Sequence, residues 1–234
     1  MQLFYQANIE DTKIVYELDS QESFHAFKVL RKTVGDVIFV TNGKGDMFQA
    51  EIVSISKKKC SIKIIECKSN NTKPSKLTIA LAPTKNISRI EWFVEKAVEI
   101  GINEIKFFTS QNSERRILKE ERLQLKALSA MKQSLKAYLP KVSTLQKLEY
   151  LLKNESQNYE TKLIAYCKED SIQLVNNVEN TKNTIILIGP EGGFSEKEVA
   201  LAEHFGFKSV SLGSSRLRTE TAAIFSTSVF NALN

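Results

Sequence analysis

Five short runs of β-branched and apolar residues recur through the last two-thirds of the chain, at 77–82, 105–109, 163–167, 184–188 and 209–212. Helix-patterned sequence fills most of the gaps between them. Strands alternating with helices in this way predict an α/β domain built on a parallel sheet with helices on its faces. The helices carry their own punctuation. Ser88-Arg89-Ile90-Glu91 reads as a capping box, opening a helix that places Ile90, Phe93, Val94, Ala97 and Val98 on one face and stops at Gly101. A long helix is expected over 118–138, ended near Pro140. Another runs over 195–205 behind a second capping box (Ser195, Glu198), and a final one over 220–233.

The first 67 residues have a different period. Short strands are expected at 13–18, 37–40, 49–55 and 60–66, with an Asn42-Gly43 turn signal between the second and third. Lys57-Lys58-Lys59 reads as a solvated hairpin turn, and 23–30 as a short helix. This is the pattern of a small β-barrel. The polar stretch 68–76, with one Pro, is the best linker. A length of 234 residues accommodates two such domains, 1–72 and 73–234.

Several classes drop out. The longest apolar runs are a few residues, far from the roughly 20 of a membrane-spanning helix. The first residues lack the basic and apolar regions of a signal peptide, so a cytoplasmic protein without a membrane partner is expected. Three cysteines are too few and scattered for a disulfide framework or zinc site. They are expected as buried apolar fillers, and no metal is expected. Of the two histidines, His204 reads as a structural residue near a helix end, and His25, before a basic Val-Leu-Arg segment, as either packing or an RNA contact.

The net charge is +6 and the pI about 9.1, a modest pointer to a polyanion. The excess is local, since residues 105–147 carry 10 basic and 3 acidic side chains. Arg115, Lys119, Arg122 and Lys126 share one face if this stretch is helical, continued by Ser129, Gln133 and Lys136. Leu118, Leu125, Leu128, Leu135 and Leu139 lie mostly opposite. Either this face is a solvated side of an amphipathic helix or it binds phosphates.

Two loops carry the chemistry. Ile188-Gly189-Pro190-Glu191-Gly192-Gly193-Phe194-Ser195 leaves one apolar strand and enters a capped helix. Its glycines admit close backbone approach, and ligands collect at the carboxyl ends of strands in such sheets. Glu191 opposes a phosphate, and no Walker lysine follows, so a ligand with a neutral ring or a positive centre suits it better. The second loop is Leu212-Gly213-Ser214-Ser215-Arg216-Leu217-Arg218-Thr219-Glu220-Thr221-Ala222. It holds two of only seven arginines, against 26 lysines, where planar recognition favours Arg. Thr219 is placed to cap the last helix. The bland alternatives are a tight strand-to-helix turn for the first loop and a simple Arg218–Glu220 pair for the second.

These two loops, in this order, resemble the paired signatures of the ribosomal RNA small subunit methyltransferase E family, within the SPOUT superfamily. Further matches are His25 with Val29-Leu30-Arg31, Lys85, Glu95-Lys96-Ala97-Val98-Glu99-Ile100-Gly101, and Gln133-Ser134 with Pro140. Lys136 takes the place of an Arg that follows Gln-Ser in the family. The resemblance covers essentially the whole chain. It implies a PUA-like barrel followed by a trefoil-knotted α/β domain, an obligate homodimer, and methylation of uridine N3 in small-subunit ribosomal RNA with S-adenosylmethionine. The cofactor would lie between the loops, on Leu187, Ile188, Gly189, Pro190, Glu191, Gly192 and Gly193 from one and Leu212, Gly213, Leu217, Arg218, Thr219, Thr221 and Ala222 from the other.

Methyl transfer to a uracil nitrogen asks the protein to orient the base and handle one proton. Arg218 is the candidate for stabilising the uracil oxyanion. Glu191 or Glu220 is the candidate base, or else holds a cofactor amine or the loop. His25, Arg31, Arg115, Arg116, Arg122 and Lys136 are the candidate contacts to ribosomal RNA or the small subunit. Competing readings are a non-catalytic RNA-binding module, an enzyme acting on a small nucleotide, and a knotted methyltransferase acting on another RNA atom such as a ribose 2′-hydroxyl.

Overall fold

A computed structural model describes residues 2–9, 15–69, 76–167, 172–178 and 182–233. The chain divides into two compact units, one of Met1–Lys73 with Met131–Leu139, the other of Pro74–Ala130 with Pro140–Asn234.

The first unit contains β1 (Leu3–Tyr5), β2 (Val15–Glu17), α1 (Ser20–Phe24), β3 (Val37–Thr41), β4 (Asp46–Ile55) and β5 (Cys60–Ser69). They form one five-stranded sheet in the order β1-β3-β4-β5-β2. Only β1 and β3 pair in parallel. Phe48, Ala50 and Ile52 of β4 and Cys60, Ile62 and Ile64 of β5 are buried on alternate positions, the period of a sheet with one wet face. They pack with Phe4, Ile9, Leu18, Ile38 and Val40 in a single core. α1 runs into a π-helical turn at His25–Val29. The turn after β3 is held by Asn42, whose side chain accepts from the N–H groups of Lys44 and Asp46. Lys57-Lys58-Lys59 forms the turn joining β4 to β5. Residues 13 and 14 of the first expected strand, and 70–75 of the expected linker, lie outside the described residues.

The second unit contains β6 (Leu77–Leu81), α2 (Ile87–Ile100), β7 (Glu104–Thr109), α3 (Glu120–Gln133, its last three residues in the first unit), β8 (Lys141–Lys147) and α4 (Leu148–Asn154). They are followed by β9 (Thr161–Ala165), β10 (Ile172–Gln173), β11 (Thr184–Ile188), α5 (Glu196–His204), β12 (Lys208–Ser211) and α6 (Thr219–Ala232). The seven strands form one parallel sheet in the order β10-β12-β9-β11-β6-β7-β8. Every residue of β6 and β11 is buried, as both faces of a parallel sheet are covered. Ile185 and Leu187 join Phe108, Leu151 and Val199 in a core with α4 and α5. α6 packs on β6 and β11 and also against α2. Among the described residues no helix is long and apolar enough to cross a membrane, and no group of three or more His, Cys, Asp or Glu could hold a metal.

Four expectations need correcting. Asn86, not Ser88, caps α2: its side chain accepts from the Ser88 N–H at 3.0 Å. The long helix ends at Gln133 rather than near residue 138, with Leu135 at φ 56°. Beyond it the Leu139 N–H donates to Gly43 O at 2.9 Å, and Ala137 O accepts from Thr41 Oγ1 at 2.9 Å, so tertiary partners replace the next helical turn. The apolar face of α3 is Leu123, Ala127, Ala130 and Met131, while Leu125 is 62% exposed. Of the cysteines, Cys60 is buried, but Cys67 and Cys167 are exposed.

A polar cluster closes one side of the second sheet. Lys106, itself buried, pairs with Glu155 at 2.6 Å and Glu104 at 3.2 Å. Glu104 also accepts from the Tyr159 hydroxyl at 3.2 Å. Burial pushes the Tyr159 phenol up to about 12.

Candidate active site

β9 lies between β12 and β11 in the sheet, so the loops that leave β11 and β12 flank the end of β9 at the carboxyl edge. Between them is a cleft of about 250 Å³. One wall is Ile188, Gly189, Pro190, Gly193 and Phe194. The other is Val210, Leu212, Gly213, Ser215, Arg216, Leu217, Thr219 and Ala222, and Ala165, Tyr166 and Cys167 close the end. The lining mixes apolar side chains with the polar groups of Tyr166, Cys167, Ser215 and Thr219, and Arg216 is its one charged residue among the described residues. Gly193 and Gly213 sit at φ +73° and +116°, and a Cβ on either would meet nothing within 4 Å. Space and backbone both stay open where they face the cleft.

The first loop is held on many sides. The Phe194 ring stacks on Phe108 (5.9 Å, 17°). Ser195 and Glu198 complete a capping box, and the other Glu198 oxygen accepts from the Gln111 N–H at 2.7 Å. Asn112 Nδ2 donates to the carbonyls of Gly192 and Gly193. Glu191, exposed, accepts from the Lys85 N–H at 3.1 Å. Arg115 donates to the carbonyls of Thr84 and Lys85.

The second loop has fewer ties. The Gly213 N–H donates to Ser211 Oγ at 3.2 Å. Thr219 does not cap α6. The cap residue is Arg218, without a side-chain cap bond, and Thr219 Oγ1 crosses the cleft to donate to Gly189 O at 3.0 Å. Arg218 is exposed. Glu220, 6% exposed, pairs with Arg89 at 3.5 Å and not with Arg218.

Residues 71–231 match the RNA methyltransferase domain family, and residues 18–65 match the RNA methyltransferase PUA domain. Ribosomal RNA small subunit methyltransferase E of Mesomycoplasma hyopneumoniae is 40% identical over 167 residues, 69% of this chain and 72% of that one. The Rickettsia conorii protein of the same name is 33% identical over 225 residues, 92% of this chain and 88% of the other. The chain belongs to the ribosomal RNA small subunit methyltransferase E family.

Solved structures agree with this methyltransferase E membership. The probable rRNA-methyltransferase from Porphyromonas gingivalis superposes with a TM-score of 0.87 at 39% identity, over 97% of this chain and 95% of that one. A Legionella pneumophila protein in complex with the bound cofactor SAM superposes at 0.84 with 28% identity, over 99% and 97%. The fold is a parallel α/β RNA methyltransferase domain with a PUA domain before it in the sequence.

Of the cofactor candidates in this methyltransferase E chain, nine line the cleft: Ile188, Gly189, Pro190, Gly193, Leu212, Gly213, Leu217, Thr219 and Ala222. Leu187 points into the core. Glu191, Gly192, Arg218 and Thr221 stand outside the lining. Sequence reasoning missed Ala165, Tyr166 and Cys167, which need the strand order, and also Phe194, Val210, Ser215 and Arg216, which lie within or beside the two loops it had singled out. The basic stripe is partly spent within the fold. Arg122 pairs with Glu91, and Lys126 with Glu95 at 2.7 Å. Hydrogen bonds from Lys126 and Lys96 hold the Glu95 carboxyl below its ordinary value. His25 lies against Phe4 (5.9 Å), and Arg31 is exposed at φ 51°.

Proposed function

We propose that this protein methylates N3 of a uridine in small-subunit ribosomal RNA using S-adenosylmethionine. The strongest support is the cleft itself, walled by two glycine loops at the carboxyl edge of a parallel sheet in a methyltransferase E chain. Its chemistry fits the cofactor. Ile188, Leu212 and Leu217 offer apolar faces to an adenine ring, the open space at Gly193 and Gly213 lets a ligand approach the loops closely, and Arg216 offers a cation to a carboxylate. The Legionella protein, which carries SAM, lends further support.

When bound, the cofactor supplies an electrophilic methyl on a sulfonium sulfur. The chain must orient the uracil in line with it and handle the N3 proton. Loss of that proton puts negative charge on the uracil oxygens. Arg218, exposed at the cap position before α6, stabilises it. Glu191, exposed on the facing loop, is the better candidate for taking the proton. Glu220 is buried against Arg89 and holds the start of α6. Arg31, Arg116 and Lys136 have no carboxylate partner among the described residues, and in this reading they contact RNA phosphates.

The reading includes an RNA-binding module at 1–72, a trefoil-knotted catalytic domain at 73–234, and a homodimer working in the cytoplasm. Trp92 on α2 and Phe225 on α6 are 45% and 40% exposed on helices that pack together, apolar surface that a second copy would cover. The test is mass spectrometry of small-subunit RNA from cells with and without the gene, with calorimetry of S-adenosylmethionine binding. Loss of one N3-methyluridine on deletion is expected. A missing 2′-O-methyl instead would move the reaction to ribose, and absence of cofactor binding would leave an RNA-binding module.

A further inference from the structure

The carboxyl edge of the second sheet carries another concavity, at the far side from the cleft. β8 is the outermost strand, next to β7. Where these two strands end, Thr109, Arg116, Gln146, Lys147, Tyr150 and Glu155 border a groove of about 670 Å³. All strands of the sheet run parallel, so this groove and the cleft open on the same edge. Three strand spacings separate β11 from β8, roughly 15 Å, the reach of a few nucleotides.

The lining has the makings of a nucleotide site. Arg116 and Lys147 are exposed and have no carboxylate partner among the described residues. Glu155, the one acid in the groove, is neutralised by Lys106 at 2.6 Å. The groove therefore presents net positive charge, unlike the face of α3, where Arg122 and Lys126 pair with α2. Tyr150 is 55% exposed, a ring with an open face. Gln146 Nε2 is buried with no hydrogen-bond partner, a donor left without an acceptor. Two cations suit a phosphodiester, and an open aromatic ring suits a base.

We infer that this groove binds a nucleotide flanking the target uridine in single-stranded RNA, with its phosphate between Arg116 and Lys147 and its base stacked on Tyr150. The inference rests on the proposed RNA substrate. It adds a second anchor on the same edge of the sheet, which would fix the direction in which the strand enters the cleft.

The experiment uses the full chain with a protein-free RNA fragment of the small subunit. Wild type must first bind S-adenosylmethionine and methylate that fragment, and failure there refutes the proposed function itself. Given that, Tyr150→Ala is expected to raise the RNA Kd and KM roughly tenfold, with cofactor affinity unchanged and Tyr150→Phe restoring both. The double variant Arg116→Ala/Lys147→Ala is expected to weaken RNA binding and reduce the slope of log K against log salt by about 1. Unchanged RNA affinity and salt slope in these variants, with wild type active, would overturn the groove assignment. So would defects seen only with assembled subunits, which would assign the groove to a ribosomal protein.

Discussion

The two walls of the cleft are built differently. The β11–α5 wall is fastened by the Phe194–Phe108 stack, the Ser195–Glu198 capping box, and donors from Lys85, Gln111 and Asn112. The β12–α6 wall rests on Ser211, on the Thr219 bond to Gly189, and on Glu220 held by Arg89. Its residues 213–216 are exposed. The first wall is part of the core of the domain, and its shape is set before any ligand arrives. The second presents side chains to solvent from a helix start, where a substrate can use them. Substitutions in the first should therefore be felt as stability, and in the second as turnover.

The largest expected effect is on the fastened wall. Phe194→Ala removes a buried ring and should cost about 3–5 kcal/mol of stability, read as a large drop in Tm. A small drop would mean that the wall is not part of the core. Arg218→Ala should leave Tm and cofactor affinity unchanged while lowering kcat about a hundredfold or more. Near-normal turnover would remove its assigned role and with it the functional half of the contrast.

Gly193→Ala and Gly213→Ala meet no steric neighbour, so each should cost only backbone strain, about 1–2 kcal/mol. Equal costs in chemical denaturation would show that strain alone acts on both walls. Ser195→Ala should cost about 1 kcal/mol through its cap, measured in the same way. A further effect is on pH. The Tyr159 phenol is raised by burial to about 12 and the Cys60 thiol to about 11. Raised values mean that the folded state holds these protons more tightly. The associated stability is present below the ordinary values and is lost as pH rises through 9–12. A stability profile flat across that window would contradict the burial of both groups.

Legibility followed burial and local chemistry. The run at Thr184–Ile188 was readable to the residue because it is apolar on both faces, and α5 because Ser195 and Glu198 cap it locally. β8 was not readable. An edge strand of sequence Lys-Val-Ser-Thr-Leu-Gln-Lys, with no buried residue in it, has no hydrophobic period to find, and it passes directly into α4. Most of the cleft was legible because its two loops are contiguous in sequence. Its closed end, Ala165–Cys167, was not, because only the sheet order brings β9 between them. The Arg89–Glu220 pair and the tail of α3 were hidden for the same reason, since their partners are distant in sequence.

The return of Met131–Leu139 to the first unit has a consequence for biosynthesis. The carbonyl of Gly43 finds its partner only after Leu139 has been translated, and the Thr41 hydroxyl, already bonded to Asp46 O, gains the Ala137 carbonyl at the same stage. Lys132, which neutralises the buried Glu22, is delivered just before them. The amino-terminal sheet must therefore wait, with that carboxylate held by the Tyr5 N–H but lacking its cation, until more than half of the polypeptide has been made.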